Sequence, residues 1–272
     1  YAKYGTEDYT FVPCGTDFTL NLTGLESETE YKVAAYVENS EGTLYSSEYF
    51  EFFTTLAAPV NPTIGLYAYY SFEDNTTNTV SGAPNGSGIN TTYVDGIQGG
   101  KALKFSSANS KFNVPEAMID GDIYTVSFWA NGMGDGHIFS CTSSASWLDF
   151  TQVLYMKDGF LKYARWWTNS GLDSLPSFTH SSFSSEWCLI TITANKKNLK
   201  LYINGEYIDN ISIGQDDGAM NTGLKFVFGG NLDAKKNGPD LGWTSMSIDN
   251  LRIYNSRVLT AEEVKQIYEY EK

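Results

Sequence analysis

Apolar and polar residues alternate with a period of two through most of this chain. The stretches "DFTLNLTGL" (17–25), "EYKVAAYVEN" (30–39) and "LYSSEYFEFFTT" (44–55) read this way, with "SEG" turning between the last two. Such alternation is the mark of half-buried strands. Further along, "GLYAYYSF", "ALKFSS", "YTVSFWANG", "HIFSCTS", "QVLYMKDGFLKYARWW", "WCLITITAN", "LKLYINGEYIDNIS" and "LKFVFGG" repeat the pattern between Gly/Asn/Asp/Ser clusters. "MKDG" and "INGE" carry the Asp-Gly and Asn-Gly signals of tight hairpins. Only the end of the chain changes period. There Thr260 can cap a helix, Glu263 completes a capping box, and Val264, Ile267 and Tyr268 form one narrow apolar stripe. That helix is predicted to lie on the surface of the β-structure with its charged side in water.

The pattern breaks once, at "LAAPVNPT" (56–63), where two prolines interrupt it. This reads as a linker. The charge shifts at the same place: residues 1–57 hold ten acids against two lysines, and the remainder holds 22 acids against 16 lysines and arginines. The division expected is therefore 1–56, a linker over 57–63, and 64–272. Many short strands and one terminal helix in the last segment predict an all-β, two-sheet antiparallel jelly-roll sandwich. The first segment predicts a small, partial immunoglobulin-like sandwich.

Composition narrows the function. Nineteen Tyr, 16 Phe and 25 Gly suit pleated, half-buried surfaces. A net charge of −14 argues against nucleic acid and anionic membranes as partners. No apolar run approaches the roughly 18 residues of a membrane span. No signal peptide opens the chain, as expected of a mature piece. The three cysteines, Cys14, Cys141 and Cys188, match no zinc spacing. Cys141 and Cys188 both fall on predicted strands and either pair or remain buried thiols. The two histidines, His137 and His180, sit in no catalytic motif, and "GMGDGH" (132–137) fits no nucleotide-binding pattern.

Two resemblances follow from particular residues. Leu25, Thr29 and Tyr31 in "GLESETEYKVAAYVENSEG" resemble the E–F corner of fibronectin type III domains, where a tyrosine hydroxyl bonds back to the backbone. "FFTT" resembles that family's closing strand. Only about four of the seven strands such a module needs are legible, so the module reads as a fragment and the natural protein is expected to extend toward the N-terminus. From residue 64 onward, "GLYAYYSFEDNTTNTVSGAPNGSG", "YVDGIQGGKALKFSS" with "YTVSFWANG", and "LYINGEYI" with "SIDNLRIYNSRVLTAEEVKQIY" resemble the laminin-G-like branch of the concanavalin A-like lectin/glucanase superfamily. The resemblance implies an extracellular or cell-surface bacterial module that binds glycan or an extracellular protein. Retaining glycosidases of the superfamily carry Glu-x-Asp-x-x-Glu on one strand, and here no Glu is followed two residues later by Asp. Asp149, Asp158 and Asp173 read as solvated loop acids, and catalysis is not expected.

The resemblance also implies a structural calcium site joining the acidic turn after the first strand to the last strand. Glu73 stands where the family has Asp, Asn78 where it has another Asp, Asp74 adds charge, and Asp249 matches directly. A hard cation takes several oxygens of this kind. The competing arrangement has Asp249 paired with Arg252 or bonded to N–H groups of its own turn. Ligand binding points elsewhere. Trp129 and Trp187 are expected to pack the sandwich. Trp166 and Trp167 are adjacent on a strand, and alternation sends them to opposite faces. One of them either packs under the loop 168–186 or reaches a surface where a sugar ring can stack on it. Trp147, Arg165, Asn169 and Asp149 are its candidate partners.

Overall fold

In the computed structural model the described residues are 1–12, 22, 25–26, 29–38, 40, 44–46, 51–54, 63–115, 123–143, 151–167, 171–174, 178–179, 186–195, 198–212, 224–230 and 243–272. The chain divides into two compact units, Tyr1–Asn61 and Pro62–Lys272.

The first unit holds a three-stranded sheet of Ala2–Lys3, Glu30–Val33 and Glu51–Thr54, and a two-stranded sheet of Tyr36–Glu38 and Leu44–Ser46. The described parts of each strand expected over 30–39 and 44–55 thus pair in separate sheets. The break in the first falls at Ala34 and Ala35. Most of the strand expected over 17–25 lies outside the described residues. Tyr31 is buried, stacks on Phe53 with ring centroids 5.8 Å apart, and its hydroxyl accepts the Glu26 N–H at 2.9 Å.

The second unit is an all-β antiparallel sandwich with a short C-terminal helix, as the alternation predicts. One sheet runs in the order Gly171–Ser174, Phe160–Trp167, Thr151–Lys157, Gly136–Ser143, Leu224–Phe228, Lys111–Asn113, Ser87–Ile89, with Phe178–Thr179 also pairing to Phe160–Trp167. The other runs Glu206–Ser212, Asn198–Ile203, Cys188–Asn195, Ile123–Asn131, Met246–Asn255, Lys101–Phe105, Thr91–Asp95. Leu66–Tyr70 joins this second sheet along the closing strand, Met246–Asn255. Both predicted tight hairpins form. Asp158 and Gly159 turn one with φ 55° and 76°, and Asn204 and Gly205 turn the other with φ 52° and 80°. Positive φ at both central positions matches the right-handed twist of the flanking strands.

Between the sheets lies an aromatic core. Phe228 packs edge-on to Phe128 and tilted to Phe139, and Tyr70, Phe72 and Phe112 form a second group beside it. Each such side chain contributes about 1.5–3 kcal/mol on leaving water. Trp129 is buried too, but on the other face of its strand. It packs with Leu189, Tyr202 and Tyr254 beneath helix α1 (Ala261–Glu271), whose Val264 and Ile267 complete this smaller cluster. Trp187 is half-buried against the same cluster. Trp129 is thus buried as expected, in a core cluster on the outer face of its sheet, and Trp187 packs partly buried against that cluster. Thr260 and Glu263 form the capping box reciprocally, at 3.2 Å and 2.7 Å. Cys188 is buried in one sheet and Cys141 lies on a strand of the other. Among the described residues no helix is long and apolar enough to cross a membrane.

Candidate functional site

The closing strand explains where its lone acid points. Ile248, Leu251 and Ile253 face the inter-sheet core, so strict alternation fails between Ile248 and Leu251. The cause is a bulge: Ser127 pairs with Arg252 but Trp129 pairs with Asp249, leaving two residues opposite one. Asn250 takes the left-handed backbone, φ 47°, which Asn tolerates better than most residues. On the strand's opposite edge the pairing partner changes at the same point. Lys101–Phe105 pairs with Met246–Ile248, whereas Leu66–Tyr70 pairs with the strand from Leu251 onward. Asp249 therefore lies at the gap between two neighbouring strands. The acidic turn leaves one of them at residue 71, and the turn 96–100 enters the other.

Both acids clasp that second turn. Asp249 Oδ2 accepts the Ile97 N–H at 3.1 Å, and its Oδ1 accepts the Asn250 N–H at 2.7 Å. Glu73 Oε2 accepts the Lys101 N–H at 3.0 Å. Gly96 N–H bonds the Gly100 carbonyl at 2.8 Å and closes the turn. The glycines are needed for this approach. A Cβ on Gly96 would lie 2.4 Å from Asp249 Oδ2, and one on Gly100 would lie 2.3 Å from Glu73 Oε1. Four non-glycine residues here have positive φ: Phe72, Asp74, Gln98 and Asn250. Strained backbone of this kind costs on the order of 1–3 kcal/mol per residue and gathers where a local geometry is held for use.

Asp249 is only 2% exposed. Burial pushes its pKa up to about 7. The Asn250 and Ile97 N–H groups oppose the rise, and the charges of Glu73 and Glu271 add to it. Of the competing arrangement, the Asp249–Arg252 pair does not form, but the bonds to backbone N–H groups do. Arg252 makes a two-pronged ion pair with Glu271, and Asp249 takes backbone N–H groups instead. A buried carboxylate held by N–H dipoles thus lies beside a second, exposed carboxylate that accepts a backbone N–H as well. Among the described residues no three His, Cys, Asp or Glu side chains converge as a metal cluster.

The structure divides the predicted cation ligands. Glu73 and Asp249 flank one turn. Asp74 is exposed, and its charge, after burial, helps raise the Tyr93 pKa. Asn78 faces its own loop: its amide oxygen accepts the Tyr69 and Val80 N–H groups at 3.0 and 3.1 Å. That amide props the acidic turn against the first strand rather than reaching Asp249. The glycines of "DGIQGG" were visible in the sequence without their role. The signal available was a pair of glycines bracketing a turn just before a strand that neighbours the acid.

Of the predicted ligand-binding residues, Trp147, Asp149 and Asn169 lie outside the described residues. The backbone of Arg165, Trp166 and Trp167 is described: it continues the strand Phe160–Trp167, in register with Asp173, Leu172 and Gly171. Trp166 pairs with Thr151 across the other edge, and Arg165 with Gln152. The two tryptophans thus occupy consecutive positions of a paired strand.

No curated protein sequence matches the chain. Among solved structures, domain 4 of AbnA, a GH43 extracellular arabinanase from Geobacillus stearothermophilus in complex with arabinotriose, superposes with a TM-score of 0.60 at 18% identity. The match covers 75% of this chain and 98% of that domain. The binding domain of botulinum neurotoxin serotype D gives 0.56 at 20% identity, over 77% of this chain and 53% of the toxin domain. The binding domain of botulinum neurotoxin DC in complex with rat synaptotagmin II gives 0.55 at 16% identity, over 78% and 53%. The matched region thus spans about half of each toxin domain. At these identities the likeness is one of fold. A family model described as the concanavalin A-like lectin/glucanases superfamily matches residues 105–265, more than half of the sequence. The chain belongs to the concanavalin A-like lectin/glucanases superfamily.

Proposed function

We propose that the unit Pro62–Lys272 is a non-catalytic carbohydrate-binding module of a bacterial surface or secreted protein. The observation that carries this reading is the pair Trp166–Trp167 at consecutive positions of a regular, paired strand, where alternation is expected to send one indole away from the core between the sheets. Saccharides present C–H faces that stack on such a ring. Support comes from the fold neighbour solved with arabinotriose, almost all of which this chain matches. The lack of Glu-x-Asp-x-x-Glu anywhere in the sequence supports the absence of glycosidase activity of that type. A glycan array probed with the full chain tests this. Binding to a defined saccharide class supports the reading, and an array blank at all neutral and acidic glycans turns attention to protein partners. The specific observation behind that second reading is the toxin binding domain solved with synaptotagmin II.

The first unit is read as a partial fibronectin-type-III-like module. The Tyr31 hydroxyl bonded to the Glu26 N–H, five residues upstream, supports it. Calcium is read as a structural ion between Glu73 and Asp249. Calcium at about 100 times its Kd should stabilise the native state by about 2.7 kcal/mol. A melting curve indifferent to both EDTA and added calcium would count against the ion.

A further inference from the structure

The strand Phe160–Trp167 has a closed side and an open side. Leu161 is 0% exposed and belongs to the core between the sheets, whereas Phe160 is 37% exposed and Lys162 is half-buried on the other side. Cross-strand register extends both sides along the strand. The core residues Phe228, Phe139 and Leu154 stand in one row with Tyr163. Phe226, also in the core, heads another such row, which passes through Cys141 and Gln152 to Arg165. The rows between them are a different set. One runs from Val227 and Ser140 through Val153 to Ala164, and the next from Thr142 through Thr151 to Trp166 and Leu172. Successive rows of a pleated sheet belong to opposite faces. The positions of Arg165 and Trp167 therefore fall in the core set, and that of Trp166 falls in the outer set.

The outer face is closed toward the middle of the sheet, where Ser140, Val227 and Tyr155 are buried. It is open along Phe160–Trp167, which lies one strand in from the sheet's edge. Around Trp166 on this face, register puts Thr151 and Leu172 directly opposite, Ala164 two residues back, and Val153 and Ser174 on the diagonals. Residues of these types offer little surface with which to cover an indole. None of the five carries a charge.

We propose that Trp166, and not Trp167, is the platform on which a saccharide stacks, and that the saccharide is a neutral one. This rests on the carbohydrate-binding reading of the unit Pro62–Lys272. Stacking on an aromatic ring uses the C–H face of a sugar and needs no charge. The uncharged positions around Trp166 give an acidic sugar no counter-ion, and a net charge of −14 repels one at longer range. Arg165 sides with Gln152 and Asp173 in the core set, so it is not a partner of this platform.

A glycan array on the full chain, followed by calorimetric titration of its best saccharide, tests this in wild type, Trp166→Ala, Trp166→Phe and Trp167→Phe. The expected ligands are neutral, and added salt leaves the affinity within about twofold, because no charge pair is there to be screened. Trp166→Ala should weaken binding about tenfold, equivalent to about 1.4 kcal/mol. Trp166→Phe keeps an aromatic face and should restore part of that loss. Trp167→Phe should leave the affinity within about twofold of wild type, about 0.4 kcal/mol. Binding confined to sialylated or uronic-acid glycans overturns the neutral class and leaves the carbohydrate reading standing. Affinity lost in Trp167→Phe but kept in Trp166→Ala overturns the assignment of the platform, again with that reading intact. A Trp166→Ala chain that fails to fold by circular dichroism overturns the assignment too, since Trp166 then packs the protein. An array blank at every glycan removes the carbohydrate reading and this inference with it.

Discussion

Asp249 carries the most unusual chemistry among the described residues. With its pKa pushed up to about 7, against 3.8 for an ordinary aspartate, the native state holds a proton between those two values that the unfolded chain releases. Stability then falls as pH rises through that window, opposite to the behaviour of a salt-bridged carboxylate. In chelator, Asp249→Asn should remove this slope, although its NH2 replaces one of the two oxygens that accept N–H groups. A wild-type melting temperature that climbs between pH 4 and 7, unchanged in slope by the substitution, would show that burial does not dominate at this residue. The acid itself was legible in the sequence as a carboxylate out of place on an apolar strand. The bulge beside it was legible only in hindsight, as the spacing of Ile248, Leu251 and Ile253, because broken alternation looks the same whether a strand bulges or ends.

At the scale of elements, helix α1 shows what periodicity reveals and what it hides. Its start was plain from Thr260 and Glu263, and its apolar stripe from Val264, Ile267 and Tyr268. The fourth anchoring residue, Glu271, continues that face at helical spacing, but a glutamate near a helix C-terminus reads as solvated. Its burial depends on Arg252 and Trp129, which are distant in sequence and brought under the helix only by the sheet. Two substitutions separate these contributions. Thr260→Ala should cost about 1 kcal/mol, the ordinary value of a lost cap. Glu271→Ala should cost more, about 3–5 kcal/mol, because it strands the Arg252 guanidinium in a buried site. Denaturant melts of the two variants give the comparison, and equal small losses would mean that the Arg252–Glu271 pair is effectively solvated. The strands of the first unit make the converse point. Their alternation was legible, but the break in the first of them was not, because Ala34 and Ala35 are compatible with either continuation.

For the whole molecule, alternation and hairpin signals were enough to foresee a two-sheet antiparallel sandwich, since each local choice agreed with the global fold. They could not foresee which loops meet. Asp249, the acidic turn and the glycine turn come together only because the first strand and Lys101–Phe105 share the closing strand end to end. The central claim, that the sandwich presents a tryptophan to a saccharide, is tested most directly by one measurement. It is the affinity of the full chain for its best array ligand, taken together with melting temperature, in wild type, Trp166→Ala and Trp167→Ala. The account predicts that one variant loses binding by about tenfold, equivalent to about 1.4 kcal/mol, with its melting temperature barely changed. The other should lose about 3–5 kcal/mol of stability. Equal destabilisation by both substitutions, with affinity unchanged in the folded fraction, would contradict it.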